Sequence, residues 1–111
     1  LRHALLLSAE TGEITRVGGT SLPVGFDKGV SYNIEQHDFL PGDILIMTTD
    51  GISSARSVQR EEFGVERIEN ILRMNAKSPM NTVSHLRDAL KIFAENSRVF
   101  DDETIIAVIR T

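Results

Sequence analysis

Two aspartates stand where short apolar runs of the chain end or begin. Asp50 directly follows an apolar and β-branched run at residues 44–49, and Asp101 precedes a second such run at residues 104–109. A carboxylate at the end of a buried strand is held rigidly enough to bind a ligand or an ion. Carboxylates that no neighbouring Lys or Arg neutralises favour a hard divalent cation, Mg²⁺ or Mn²⁺, held by oxygen. Taken alone, an Asp-Gly pair after a strand is also compatible with an ordinary turn.

The run that ends at Asp50 opens with a reverse turn at residues 41–43, which read Pro-Gly-Asp. Proline fixes its own φ, glycine accepts positive φ, and aspartate can bond the neighbouring backbone. The four apolar residues 44–47 and the two threonines after them are too short for a helix and predict a strand covered on both faces. Residues 104–109 predict a second buried strand by the same argument.

Three further strands are predicted upstream. Residues 3–8 are largely apolar, residues 10–13 form a turn, and residues 14–17 alternate apolar and polar side chains like a half-exposed return strand. A loop rich in Gly and Pro follows at residues 18–26. Residues 30–35 alternate again and predict one more strand.

Between the two apolar runs the hydrophobic period changes from two to about 3.5, which predicts two helices. Gly64 is the expected N-cap of the first helix, on whose exposed side Glu69 and Arg73 can pair one turn apart. The second helix begins with Ser78 as N-cap and Pro79 at its first position. The apolar stripes consist of Val65, Ile68, Ile71 and Leu72 in the first helix and Val83, Leu86, Leu90 and Phe93 in the second.

The order of these elements brings the two aspartates together. If the two helices fold back on each other, the first leaves the end of the sheet at which Asp50 lies and the second returns to it. The last strand then runs antiparallel to the strand that ends at Asp50. Asp101, which opens that last strand, is therefore expected at the same edge of the sheet as Asp50. A single crossover helix would place them at opposite ends.

The composition of the chain argues against several classes of protein and site. The chain has 111 residues, which suits one domain, and no cysteine, which excludes disulfides and thiolate metal sites and suits a reducing cytoplasm. The formal net charge is −4 and no Lys/Arg cluster is present, so a nucleic-acid binder is not indicated.

The apolar runs are too short to span a membrane. The chain begins at Leu1, inside a strand-like segment, which suggests a piece of a longer protein.

The other reactive side chains favour structural roles. Arg56 and Arg60 could contact a substrate phosphate, although a solvated loop is the favoured interpretation. The histidines are too scattered to form a ligand set and are expected at the surface or in packing: His3, His37 and His85. A serine nucleophile is not supported, because no histidine base lies near the serines of the loop: Ser53, Ser54 and Ser57.

The order of these motifs resembles the C-terminal portion of the metal-dependent protein phosphatases (the PPM family), in particular their bacterial SpoIIE and RsbU type. The matching stretches are Pro41-Gly42-Asp43, Thr49-Asp50-Gly51, Phe63-Gly64, Asp101-Asp102-Glu103-Thr104 and, more loosely, Leu22-Pro23-Val24-Gly25. The resemblance covers nearly the whole chain. It implies an α+β fold in which an antiparallel β-sheet carries a helical pair on one face, as part of a PPM-type α-β-β-α sandwich.

The resemblance also implies a chemistry. In the family, two Mn²⁺ or Mg²⁺ ions activate a water that attacks phosphoserine or phosphothreonine. Asp50 matches the metal-binding aspartate of the Asp-Gly motif and Asp101 the aspartate that opens the last strand, so both are the expected catalytic metal ligands. Gly51 and Asp102 are expected to orient them. The implied substrate is a phosphorylated, STAS-type anti-sigma-factor antagonist in the bacterial cytoplasm. The resemblance leaves undecided whether sensor domains precede the phosphatase domain and whether the protein is a dimer.

Two features depart from the family's pattern. Its first metal-binding Gly-Asp and its Asn-Ala-Gly-His stretch, both from the N-terminal half of the domain, do not occur here, and Gly42-Asp43 belongs to a turn. Ser54 stands where SpoIIE-type relatives commonly have glutamate. We therefore expect residues 1–111 to form a single partial phosphatase domain that lacks its N-terminal half and is inactive alone. The alternatives are a catalytically inactive phosphatase-like module that binds or regulates a partner, and an α+β domain whose acids only cap turns.

Overall fold

The computed structural model of the chain describes residues 4–18, 28–29, 36–94 and 103–111. The elements are β1 (Ala4–Leu7), β2 (Ile14–Val17), β3 (Ile44–Thr48), α1 (Asp50–Ser53), α2 (Val65–Met74), α3 (Pro79–Phe93) and β4 (Ile105–Ile109). All strand predictions within these residues are confirmed. The predicted strand at 30–35 and residues 19–26 of the predicted loop at 18–26 lie outside the described residues.

The strands form one antiparallel sheet in the order β2-β1-β3-β4. β3 lies inside the sheet, between β1 and β4, as its apolar sequence predicts. α2 and α3 contact each other, and they pack on one face of the sheet against β1 and β4. The predicted α+β architecture, with a helical pair on one face of an antiparallel sheet, is therefore confirmed.

The core lies between the helices and the face of the sheet that they cover. Alternate residues of the strands, such as Ile44 and Ile46 in β3, point to this layer and are fully buried, as period-two geometry requires. Leu72 of α2 and Leu86 of α3 meet them from the helical side and are also fully buried. The buried apolar residues together are Leu5, Leu7, Ile44, Ile46, Ile52, Phe63, Ile68, Ile71, Leu72, Leu86 and Leu90.

The opposite face of the sheet is apolar but not buried. In β4, Ile106 is 47% exposed and Val108 is 41% exposed, while Leu45 and Met47 of β3 are half-buried. The prediction that both strands are covered on both faces is therefore wrong for this structure. The cause is that α2 and α3 pack on one face only. The apolar side chains that alternate with the core residues are left for another layer to cover.

The helices begin as their sequences predict. Gly64 precedes α2 with a φ of 80°, a conformation that glycine adopts readily. The Ser78 hydroxyl accepts a hydrogen bond from the Asn81 amide at 3.2 Å, and Pro79 is the first residue of α3. Both predicted N-caps are confirmed.

The expected Glu69–Arg73 pair does not form. The Glu69 carboxylate instead binds Arg16 of β2, with the Arg16 Nη2 and Glu69 Oε1 atoms 3.0 Å apart. Arg73 donates to the Asn70 side chain at 3.2 Å. The partner of Glu69 is therefore an arginine of the sheet. This ion pair connects α2 to β2, whereas the expected pair would have connected two successive turns of α2.

The Pro-Gly-Asp turn joins three parts of the sheet. The buried Asp43 carboxylate accepts hydrogen bonds from the backbone amides of Ala9, at 2.8 Å, and of Leu40, at 2.9 Å. These two bonds, above all the one from Ala9, lower the pKa of Asp43 below its ordinary value. The Gly42 amide donates to the Arg110 carbonyl beyond β4. A Cβ on Gly42 would lie 2.9 Å from the Ala9 Cβ, so this close approach requires glycine.

Replacement of Asp43 by asparagine is expected to lower the melting temperature. Asparagine has one acceptor oxygen, and its NH₂ group would face one of the two amide donors. Because the folded-state pKa is lowered, the stabilisation by Asp43 is complete above the ordinary carboxyl pKa of about 4 and is lost as pH falls through the folded-state value. Melting curves from pH 7 downwards should show the wild type and Asp43→Asn converging below about pH 4. The exposed Asp38→Asn is the control, and parallel curves at all pH values would contradict the prediction.

Candidate active site

Asp50 lies where β3 ends and is the first residue of the short helix α1. The sequence predicted only a loop after Asp50, whereas the chain makes one helical turn there. This helical turn packs on the core through Ile52, which is fully buried, and the neighbouring Gly51 is buried as well. The Asp50 side chain is exposed at this edge, and within the described part of the chain no hydrogen bond or ion pair engages its carboxylate.

Two serines hold the backbone of Asp50. The Asp50 carbonyl accepts hydrogen bonds from the Ser54 amide at 2.9 Å and from the Ser54 hydroxyl at 2.5 Å. The Ser53 hydroxyl approaches the same carbonyl at 3.4 Å. Ser54, which departs from the pattern of the resembled phosphatases, thus stabilises the turn that presents Asp50. Both hydroxyls are directed at this backbone carbonyl in the described part of the chain.

The start of β4 lies beside the end of β3. Thr48 pairs with Ile105 in the antiparallel register, and the Thr49 amide donates to the Thr104 carbonyl at 3.1 Å. The antiparallel direction predicted for these two strands is therefore confirmed. Asp101 and Asp102 lie outside the described residues, so their proximity to Asp50 stays a prediction.

The described residues include one exposed carboxylate that is chemically suited to bind a metal ion. Asp50 offers exposed carboxylate oxygens, the donor type that Mg²⁺ and Mn²⁺ prefer. Among residues 4–18, 28–29, 36–94 and 103–111, no group of three or more His, Cys, Asp or Glu side chains is close enough to hold a metal ion. The chemistry of Asp50 fits the expected ions, but its single carboxylate needs further oxygen ligands from elsewhere.

A cleft of about 450 Å³ opens next to Asp50 on the side of α2. Ser53, Ser54 and Glu62 contribute its polar wall. Glu62, which the sequence analysis did not single out, binds Arg56 at 3.2 Å across a short bridge between the two chain segments. The remaining residues of the wall are Leu5, Thr48, Gly64, Val65 and Ile68.

The arginines and histidines that the sequence analysis considered as site residues have structural contacts or lie exposed on the surface. Arg56 is an exposed partner of Glu62, and Arg60 is exposed at the tip of the same loop with a φ of 65°, which agrees with a solvated loop. His85 contacts the Asn75 side chain at 2.9 Å on the helical face, a packing role, and His37 is exposed. His3 lies outside the described residues. No helix within the described ranges is long and apolar enough to cross a membrane.

Comparison with known proteins adds family relationships to this geometry. The family model for Stage II sporulation protein E (SpoIIE) matches residues 2–111. Protein IcfG of Synechocystis sp. (strain ATCC 27184 / PCC 6803 / Kazusa) is 33% identical over 95 residues, which are 86% of this chain and 15% of IcfG.

Two solved structures share the fold. The SiaA-PP2C domain of Pseudomonas aeruginosa is similar with a TM-score of 0.74 at 19% identity, over 98% of this chain and 43% of that one. The phosphatase domain of the cell fate determinant SpoIIE from Bacillus subtilis has a TM-score of 0.69 at 17% identity, over 98% and 46%. The chain therefore spans less than half of each of these proteins.

Proposed function

Since the chain belongs to the SpoIIE family of phosphatases, we propose that it is the C-terminal portion of a metal-dependent serine/threonine protein phosphatase domain. The observation that carries the proposal is the paired edge of the sheet. An exposed Asp50 follows the end of β3, and the start of β4, which Asp101 precedes in sequence, is hydrogen-bonded beside it. The alternative of acids that only cap turns explains Asp50 less well, since its carboxylate caps nothing in the described part of the chain.

The uncovered face of the sheet supports the proposal that the domain is partial. Ile106 and Val108 alternate with the covered residues of β4 and are exposed, although they are as apolar as the core. In an α-β-β-α sandwich a second sheet covers such a face. We infer that this second sheet belongs to the N-terminal half of the domain, which would also bring the Gly-Asp ligand that this sequence lacks.

In the complete domain, Asp50 and Asp101 would bind the metal ions through their carboxylate oxygens. Bound Mn²⁺ or Mg²⁺ would supply an activated water and neutralise charge on the phosphoryl oxygens of the substrate. Asp50 contributes an exposed carboxylate on a backbone that Ser54 and the buried Ile52 hold in place. Gly51 and Asp102, next to the two ligands in sequence, would help to orient them.

The proposed substrate is a phosphoserine or phosphothreonine protein, and its class follows from the family. A phosphorylated, STAS-type anti-sigma-factor antagonist in the bacterial cytoplasm is the candidate that the SpoIIE and RsbU resemblance favours. Upstream sensor domains and a dimer are compatible with this assignment. The competing proposal is a non-catalytic member of the family that binds its partner without hydrolysis.

The test is the hydrolysis of p-nitrophenyl phosphate and of a phosphoserine peptide by the complete domain. We expect turnover with Mn²⁺ or Mg²⁺ and none in EDTA, with activity restored when the metal is returned. Hydrolysis that continues unchanged in EDTA would contradict metal dependence. The absence of hydrolysis with either metal would contradict the enzyme assignment and favour the non-catalytic module.

A further inference from the structure

Thr49 makes an unusual pair of hydrogen bonds at the edge of the sheet. As the N-cap of α1, a threonine would normally use its hydroxyl to accept a backbone amide of the first helical turn. The Thr49 hydroxyl makes no such bond. It accepts the backbone amide of Thr104 instead, at 3.0 Å and from 55 residues away in sequence.

This hydroxyl replaces a missing backbone acceptor. In an antiparallel pair, two opposed residues exchange both of their backbone hydrogen bonds. The Thr49 amide does donate to the Thr104 carbonyl, but the Thr49 carbonyl has turned away and accepts the Ile52 amide of α1 at 3.0 Å. The Thr49 side chain therefore provides the second bond of the pair, and it extends the β3–β4 ladder to the residue just before Asp50.

We propose that Thr49 is a positioning residue of the phosphatase site, an inference that rests on the proposed function. Asp101 precedes Thr104 by three residues in sequence, so its Cα can lie no farther than roughly 11 Å from that of Thr104. Together with the Thr49 amide, the Thr49 hydroxyl holds Thr104 beside the residue that precedes Asp50, and the segment that carries Asp101 would join the sheet at that fixed point.

The test compares three variants of the complete domain. Thr49→Val keeps the β-branched shape and removes the acceptor, whereas Thr49→Ser keeps the hydroxyl. Thr11→Val is the matched control, because Thr11 also accepts a backbone amide, that of Glu13 at 3.2 Å, in the hairpin turn between β1 and β2. The readouts are the Kd for Mn²⁺ alone, by calorimetry, and hydrogen exchange of the Thr104 amide in metal-free protein.

We expect Thr49→Val to weaken Mn²⁺ binding by roughly tenfold or more, as the loss of residues that orient metal ligands does. Its Thr104 amide should also exchange faster, while Thr49→Ser and Thr11→Val stay close to the wild type. If Thr49→Val does not fold, Thr49→Cys, with a weak sulfur acceptor, carries the same expectation. Unchanged Mn²⁺ affinity in the acceptor-free variant would overturn the inference alone. A wild-type domain that binds no Mn²⁺ and hydrolyses no phosphate would overturn the proposed function as well.

Discussion

Asp50→Asn is expected to lower the metal-dependent kcat of the complete domain by about 10³-fold, on the order of 4 kcal/mol of transition-state stabilisation. The amide keeps the size of the side chain and removes the charge that the ions need. Because no described residue bonds the Asp50 carboxylate, the melting temperature of the metal-free protein should stay nearly constant. The measurement is steady-state hydrolysis of p-nitrophenyl phosphate over a range of Mn²⁺ concentrations, together with thermal melts.

The control is Asp88→Asn, which changes an exposed acid on α3 and should leave both kcat and the Mn²⁺ dependence unaltered. Asp101→Asn should behave like Asp50→Asn if the two aspartates hold the same pair of ions. The double variant should then be little worse than either single one, because groups that act as a unit are not additive. Full activity in Asp50→Asn, or equal losses in Asp50→Asn and Asp88→Asn, would remove Asp50 from the site.

The second large effect is expected in the core. Leu72 of α2 is fully buried among the helices and the sheet. Leu72→Ala removes apolar contacts and leaves a cavity, so the free energy of unfolding should fall by about 2–5 kcal/mol. Urea denaturation of the complete domain, followed by circular dichroism, measures the change.

The same helix offers the matched control. Met74 lies two residues further along α2 and is 72% exposed, so Met74→Ala should change the free energy of unfolding by less than about 0.5 kcal/mol. Equal losses in Leu72→Ala and Met74→Ala would show that α2 does not pack on the sheet as described. A Leu72→Ala variant that keeps the wild-type stability would do the same.

The elements next to the site could be predicted because their sequence signals are local. The Pro-Gly-Asp turn at residues 41–43, the apolar run after it and the Ser78-Pro79 helix start each follow from rules that span only a few residues. The antiparallel direction of β4 followed from counting the two long helices, α2 and α3, between it and β3, and the one-turn helix α1, which the sequence did not predict, leaves that direction unchanged. That count needs no knowledge of contacts, which explains its success.

The features that sequence analysis missed depend on contacts between distant residues. Glu69 has Arg73 within reach in sequence, yet Arg16, 53 residues away, binds it once β2 lies against α2. The sequence analysis did not single out the Thr49 hydroxyl, because its acceptor role appears only when the Thr49 carbonyl bonds to α1. An apolar run likewise does not reveal which of its two faces the chain itself will cover, as Ile106 shows.

The bond between Thr49 and Thr104 also has a kinetic consequence. Its two partners are 55 residues apart, with α2 and α3 between them, whereas the hydrogen bonds of each helix join near neighbours. Closing so long a segment costs conformational entropy before the contact contributes any stabilisation. Such pairings therefore slow folding. We therefore expect the edge of the sheet at which Asp50 lies to form late in folding, after α2 and α3 have formed. Time-resolved Mn²⁺ binding during refolding would then lag behind the helical signal.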